Sequence, residues 1–307
     1  MKSVVPIAVC SRSFSRHPVL RAELSHHFSN IRFNDSGITL TGGTLIDFLQ
    51  DRVAAIIGME TIDAALIDQL PQLRVLSKYG VGLDRIDEGL LKANDVKLCT
   101  SPGVNRSAVA ELTMAFIISL LRHVPQSQKE LSAGTFRQIQ GRELRSCVVG
   151  VLGCGNIGQL VALHCRAFGA TVLAHDVKSY DEFYQTHDVH PCTLDELLHR
   201  SDVLTIHTPL DASTRNIISA PRIARMKPGS ILINTARGGL VNEDAVVDAL
   251  TNGQLSGAAF DVFQIEPPGE HRLFQMPNVI TTGHIGGHTD AAILAMGRAA
   301  IHGLIQS

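Results

Sequence analysis

The chain has 307 residues, 45% of them hydrophobic and 18% charged, with a formal net charge of −2. That length can bury a large core and implies two domains, while the near-neutral balance excludes a broad basic field for nucleic acid and an acidic tail. No stretch holds the ~18 uninterrupted apolar residues of a membrane span, the N-terminal apolar run is too short for a secretory leader, and six cysteines without a CxxC pair read as free thiols of a reducing cytoplasm.

In chain order, residues 4–10 read as a strand. Arg12 and Arg16 follow in a polar loop, and Pro18 opens a helix through His27. Residues 31–33 form a short strand, 45–49 a short amphipathic helix and 53–57 a buried strand. Residues 62–70 are helical until Pro71 stops them. The strand at 73–77 runs into Lys78-Tyr79-Gly80-Val81-Gly82, a glycine-opened loop at a strand's carboxyl end, where open α/β sheets place ligands. A helix ending at 93 and a strand at 96–99 complete a first α/β domain of about 100 residues. Residues 108–121 are apolar on nearly every face, so that helix is buried. A polar stretch over 126–145 follows.

The chain then reaches CVVGVLGCGNIG, residues 147–158. An apolar run meets Gly153, Gly155 and Gly158 in the spacing G-x-G-x-x-G, and a helical pattern follows through Asn156 and Ile157. A second β-like run ends in Asp176. Each part has a task in binding a dinucleotide. Gly153 permits the tight turn, Gly155 lets the backbone approach a pyrophosphate, and Gly158 lets helix and strand pack closely. The helix N-terminus favours phosphate. Asp176 accepts hydrogen bonds from a ribose and repels a 2′-phosphate, which selects NAD.

Beyond Asp176 the α/β alternation resumes: helix 194–198, strand 203–207, helix 223–226, strand 231–234, helix 243–250, strand 258–262 and strand 279–281. A helix over 288–306 has no strand after it and is expected to pack back on the first domain. Three groups stand just past strand ends beside Gly or Pro: Arg237 before Gly238-Gly239, Glu266 before Pro267-Pro268, and His284 before Ile285-Gly286-Gly287. A guanidinium grips a carboxylate bidentately. An imidazole exchanges protons near neutral pH, and a carboxylate orients it and raises its pKa. Beside a nicotinamide, this set suits hydride transfer to or from a 2-keto or 2-hydroxy acid. His284 and His288 are four apart, but the glycines between them argue against a helix, so no metal is assigned.

GCGNIG, NTARGGLVNEDAVVDAL, GAAFDVFQIEPP and HIGGHT, with KYGVGLDRID and GVNRSAVAEL upstream, resemble the successive signatures of the D-isomer-specific 2-hydroxyacid dehydrogenases. That family includes phosphoglycerate, glyoxylate/hydroxypyruvate and D-lactate dehydrogenases. The resemblance implies an α/β fold of two doubly wound parallel-sheet domains: a Rossmann cofactor domain at 101–284 inserted in a smaller, flavodoxin-like substrate domain at 1–100 plus 285–307. It implies an NAD-dependent D-2-hydroxyacid dehydrogenase, dimeric through the cofactor domain. Arg237 would bind the substrate's carboxylate and keto oxygen, His284 would be the acid/base and Glu266 its partner. Backbone N–H groups of Val81 and Gly82, within the loop Lys78-Tyr79-Gly80-Val81-Gly82, would also hold the carboxylate. Thr208, Pro209, Thr214, Ala236, Asp261 and Gly287 match cofactor-contacting positions.

Three departures bear on this. Gly283 precedes the histidine where the family usually has Pro. Gly58-Met59-Glu60 occupies the loop where phosphoglycerate enzymes commonly carry a phosphate-binding Arg. The chain ends at Ser307, without the regulatory domain of some phosphoglycerate dehydrogenases. Lys78, Arg12, Arg16 and Arg106 are candidates to line the substrate mouth. An alternative function is a non-catalytic dinucleotide-sensing protein of the same fold. A formate dehydrogenase is disfavoured, because Glu266 stands where Gln is expected. The partners expected are a small 2-hydroxy or 2-keto acid and a second copy of the chain, with no nucleic acid and no membrane.

Overall fold

The computed structural model describes residues 2–307. Two compact units divide the chain, one of residues 1–105 and 287–307, the other of residues 106–286. The sequence placed these limits at 100/101 and 284/285. Residues 101–105 stay with the first unit because Val104 N–H closes a turn on Ser101 and Asn105 packs against Gly287.

The first unit is a five-stranded parallel sheet. Its strands are β1 (Ile7–Val9), β2 (Ile31–Phe33), β3 (Ala54–Ile57), β4 (Val75–Lys78) and β5 (Lys97–Cys99), in the order β2-β1-β3-β4-β5. This is a doubly wound order whose direction reverses between β1 and β3. The helix Pro18–His27 has Pro18 in its first turn and buries Leu20 and Leu24. The last helix, Asp290–Ile305, packs against this unit through glycines: a β-carbon on Gly297 would collide with the Leu20 side chain, and one on Gly303 would lie 2.5 Å from Ser77 Oγ. Ser77 Oγ donates to Ala300 O at 2.7 Å, satisfying the buried hydroxyl there.

The second unit holds seven parallel strands: β6 (Val148–Leu152), β7 (Thr171–His175), β8 (Val189–Pro191), β9 (Val203–Ile206), β10 (Ser230–Asn234), β11 (Leu255–Phe260) and β12 (Val279–Thr281). Their order is β12-β11-β10-β9-β6-β7-β8. The direction of winding reverses between β6 and β9, the dinucleotide switch point of a Rossmann sheet. The central strands β9 and β10 are buried throughout, as a sheet covered on both faces requires. The helix Arg106–Leu121 lies on one face and buries nine side chains, in keeping with its all-round apolar pattern. Register aligns the carboxyl ends: Leu152 sits opposite His175 and Ile206, Ile206 opposite Asn234, Asn234 opposite Phe260, and Phe260 opposite Thr281.

Some elements were not legible as such. Residues 12–16, expected as a polar loop, form the helix Arg12–Arg16, only five residues long and capped by Ser11, whose side chain accepts the Phe14 N–H. The helix Val124–Ser132 buries no residue and so has no apolar stripe to read. The helix Asp181–His187 is seven residues long, and β8 is an edge strand ending in Pro191, where a missing N–H is tolerated. The expected strand 258–262 ends at Phe260, because Asp261 leaves the ladder for another task.

Candidate active site

The glycine loop leaves β6 at the switch point. Gly153 has φ +91, and a β-carbon there would lie 2.7 Å from the His207 carbonyl carbon and the Thr208 nitrogen at the end of β9. Any side chain would push these strand ends apart. A β-carbon on Gly158 would collide with the Gly153 carbonyl oxygen, so the helix Asn156–Ala167 can start this close to β6 only with glycine. Over Gly155 the space is open, and a methyl group placed there would meet nothing within 4 Å. Gly155 is the N-cap of that helix and offers no side chain to its first N–H groups, which stay available to an anion. Asn156 is exposed and Ile157 half-buried beside it.

Asp176 follows β7. Its Oδ2 accepts the Cys154 N–H at 2.6 Å and its Oδ1 the Lys178 N–H at 2.8 Å. The acid that ends the motif is thereby tied to the loop that begins it. Cys154 is fully buried, and burial pushes its thiol up to about 11, which marks it as packing and not a nucleophile. Past β9, Thr208 Oγ1 is buried without a hydrogen-bond partner among the described residues. The Thr214 hydroxyl is used locally, donating to Pro209 O and accepting the Asp211 N–H, both at 2.8 Å. An open glycine cradle, an uncapped helix N-terminus, an anchored acid and an unpartnered hydroxyl share one sheet edge, and they fit a dinucleotide.

The adjacent strands β10, β11 and β12 deliver the other candidates. The buried Asn234 side chain accepts the Ala236 N–H at 3.1 Å and donates to Arg237 O at 2.9 Å, fixing the turn that presents Arg237. A β-carbon on Gly238 would collide with the Phe263 carbonyl, so this turn lies directly on the segment leading to Glu266. His284 Nδ1 is 2.8 Å from Glu266 Oε2, and Glu266 Oε1 accepts the Phe263 N–H at 3.1 Å. The hydrogen bond from Glu266 is the main cause raising the His284 pKa; burial opposes it, the charges of Glu266 and Asp261 add to it, and Arg237 lowers it. Desolvation pushes Glu266 up, but the bond and charge of His284, the Phe263 N–H and Arg237 together hold it below the usual carboxylate range. The charge of Arg237 is therefore felt by both partners.

Asp261, expected as a cofactor contact, also shapes the loop that carries His284. Its carboxylate accepts Ile285 N–H at 2.7 Å, Gly286 N–H at 2.8 Å and Thr282 Oγ1 at 2.5 Å, while its carbonyl accepts the His284 N–H at 2.8 Å. It is 1% exposed and shapes the loop carrying His284. The sequence does not reveal this, because every partner lies more than 20 residues away. Ala236 is 8% exposed behind Arg237.

In the first unit, Lys78 is buried at 7% exposure and its ammonium donates to Gly58 O, whose residue's N–H is accepted by Glu60. Lys78, a candidate to line the substrate mouth, is thus a buried group. Tyr79 packs edge-on against Phe14, ring centres 5.6 Å apart. Gly80 has φ +122, and Val81 and Gly82 are half-exposed. Arg12 and Arg106 are exposed, and the Arg16 guanidinium packs over Gly37.

Residues 114–286 match the family model for the D-isomer specific 2-hydroxyacid dehydrogenase, NAD binding domain. The chain belongs to this 2-hydroxyacid dehydrogenase family. It is 35% identical to the D-3-phosphoglycerate dehydrogenase of Bacillus subtilis over 275 residues, 85% of this chain and 52% of that protein. It is 36% identical to the hydroxypyruvate reductase of Thermotoga maritima over 236 residues, 75% of this chain and 76% of that one. The family member thus spans about half the length of the phosphoglycerate dehydrogenase it matches. The D-lactate dehydrogenase of Aquifex aeolicus, solved with NAD and lactic acid, superposes with a TM-score of 0.85 at 27% identity, covering 98% of this chain and 94% of that one. The family's cofactor is NAD, and the second unit is its binding domain.

Proposed function

We propose that this chain is an NAD-dependent dehydrogenase that interconverts a D-2-hydroxy acid and its 2-keto acid. The observation that carries the reading is the His284 Nδ1 contact with Glu266 Oε2 at 2.8 Å, on the sheet edge that also bears the glycine cradle. Glu266 occupies Nδ1 and leaves Nε2 to face substrate. In reduction the His284 imidazolium gives its proton to the keto oxygen, and in oxidation neutral His284 removes it from the hydroxyl. Arg237 grips the carboxylate and polarises the carbonyl, and its contact strengthens as charge develops on oxygen. The bound nicotinamide supplies or accepts the hydride.

In this reading the first unit is the substrate domain, and Val81 and Gly82 offer backbone N–H groups to the carboxylate. The dinucleotide is held by Gly153, Gly155, Asn156, Ile157 and Gly158, with Asp176 on the ribose and Thr208, Pro209, Thr214, Ala236, Asp261 and Gly287 along the remainder. Within the keto acids, an unphosphorylated one is favoured. Glu60 is a carboxylate at Gly58, and the Lys78 ammonium beside it is engaged with the Gly58 carbonyl, a poor receptacle for a phosphate dianion.

A homodimer is part of the proposal. The helix Val124–Ser132 has no buried residue, and Leu131 within it and Phe136 beyond it are 59% and 86% exposed, an apolar surface suited to a second copy. The six unpaired cysteines accord with a reducing cytoplasm. NADH oxidation scanned against glyoxylate, hydroxypyruvate, pyruvate and phosphohydroxypyruvate tests the assignment, with light scattering for the dimer. NADH binding without turnover of any acid would favour the dinucleotide sensor instead.

A further inference from the structure

A second glutamate–histidine pair stands behind the first. Glu243 is 9% exposed at the start of the helix Glu243–Thr251, and its Oε1 accepts the Gln264 N–H at 2.8 Å. Its Oε2 is 3.0 Å from His271 Nε2. His271 Nδ1 accepts the Leu273 N–H at 3.2 Å, so this nitrogen carries no proton and the Nε2–H is the one that donates to Glu243. The imidazole packs against the Phe263 and Phe274 rings, whose centres are 5.9 and 5.6 Å from its own and 5.5 Å from each other. Of the neighbouring charges, Arg272 pairs with Asp248, whereas Asp244 lines a cavity of ≈ 320 Å³ that also opens on Glu243, Gln264 and His271.

The two pairs hold consecutive backbone groups of one short loop. Glu266 takes the Phe263 N–H and Glu243 takes the Gln264 N–H. We propose that Glu243 and His271 are a positioning pair that holds residues 263–266 in the geometry in which Glu266 meets His284. Two further observations support this. Phe263 is buried, but Gln264 and Ile265 are exposed, so between Phe263 and Glu266 these bonds restrain the loop more than packing does. The site also requires an acceptor at both Glu243 oxygens. A glutamine there can accept from Gln264, but its amide N–H₂ then faces the His271 Nε2–H. Switching the His271 tautomer to relieve that would set Nδ1–H against the Leu273 N–H. Only a carboxylate satisfies both sides. The effect on turnover rests on the role assigned above to His284; the effect on the geometry does not.

The test is the titration of His284, followed by NMR of ring-labelled histidine and assigned by the signal lost in His284→Ala. It needs no substrate, so it separates this inference from the reaction class. In folded Glu243→Gln the Glu266 contact loosens, and the His284 titration is expected to fall by about 0.5–1 pH unit toward the ordinary histidine value. With a keto acid, kcat should fall about tenfold with KM little changed, and the alkaline limb of reduction should move with the titration. His271→Leu should behave likewise, and His271→Gln, which keeps a donor toward Glu243, should restore most of the loss. An unchanged His284 titration in folded Glu243→Gln would overturn the inference, as would a rate loss uniform across pH. Failure of both Glu243→Gln and His271→Leu to fold would assign the pair to stability alone and overturn it equally.

Discussion

Asp261 Oδ2 accepts the Gly286 N–H at 2.8 Å, closing the loop that carries His284 onto the end of the neighbouring strand. Three donors converge on this one buried carboxylate. Asp261→Asn offers a single acceptor oxygen and turns an N–H₂ toward an N–H. The expected cost is about 1–3 kcal/mol for the buried donor left unsatisfied, read as a lowered Tm together with a reduced kcat. Wild-type values of both would show that the loop holds its shape without the carboxylate.

Glu266→Gln keeps the shape of the His284 partner but removes its charge and the strongest influence raising the histidine. The His284 pKa then falls. Reduction needs imidazolium, so its alkaline limb should begin at lower pH, and the acid limb of oxidation should move the same way. Stability follows the same pair. A raised histidine contributes below its ordinary value of 6.5 and loses that contribution as pH rises through the folded pKa; a lowered glutamate contributes above its ordinary 4.5 and loses it as pH falls through its own. The Tm gap between wild type and Glu266→Gln should therefore be widest between these two values. A gap independent of pH would remove the ion pair from the account.

Arg237→Lys retains the charge without the fork. Reduction of a keto acid should show a raised KM and a lowered kcat, with Arg237→Ala worse in both, because one ammonium cannot hold carboxylate and carbonyl together. Equal kcat/KM in Lys and wild type would mean that charge alone suffices.

The glycines of the dinucleotide loop should fail in two ways. Gly158→Ala forces a methyl into the Gly153 carbonyl and should destabilise the fold by about 1–3 kcal/mol. Gly155→Ala meets nothing in the protein, so Tm should hardly move while NADH binding weakens about tenfold or more, as a methyl held against the pyrophosphate requires. Fluorescence titration of NADH beside a melting curve separates the two, and equal NADH affinity in Gly155→Ala would place the pyrophosphate elsewhere.

Asp176→Ala should relax the preference for NADH over NADPH, since the carboxylate that repels a 2′-phosphate is gone. Comparable kcat/KM with both cofactors in the wild type would already refute that role.

Much of the site is legible because its chemistry falls on loops directly after apolar runs. Gly153, Arg237, Glu266 and His284 each follow a strand end, and register brings those ends level. What holds these groups is not legible. Asn234 reads as the last residue of a strand, Glu243 as a helix start and His271 as a loop histidine; their partners are set by which strands become neighbours. The burial of Lys78 is not legible either, because it depends on Gly58, 20 residues away. The helix Val124–Ser132 escapes periodicity because it buries nothing within its own chain.

His284 has φ 55, a left-handed conformation that disfavours a side chain with a β-carbon. The Asp261 carboxylate and carbonyl impose it, and it costs on the order of 1 kcal/mol. Glycine would adopt this conformation without that cost, so under the proposed function the histidine there trades endurance for turnover. His284→Gly should melt higher than His284→Ala while being equally inactive, and improving this protein's heat tolerance is best sought away from this loop, where a gain in stability need not be taken out of the chemistry.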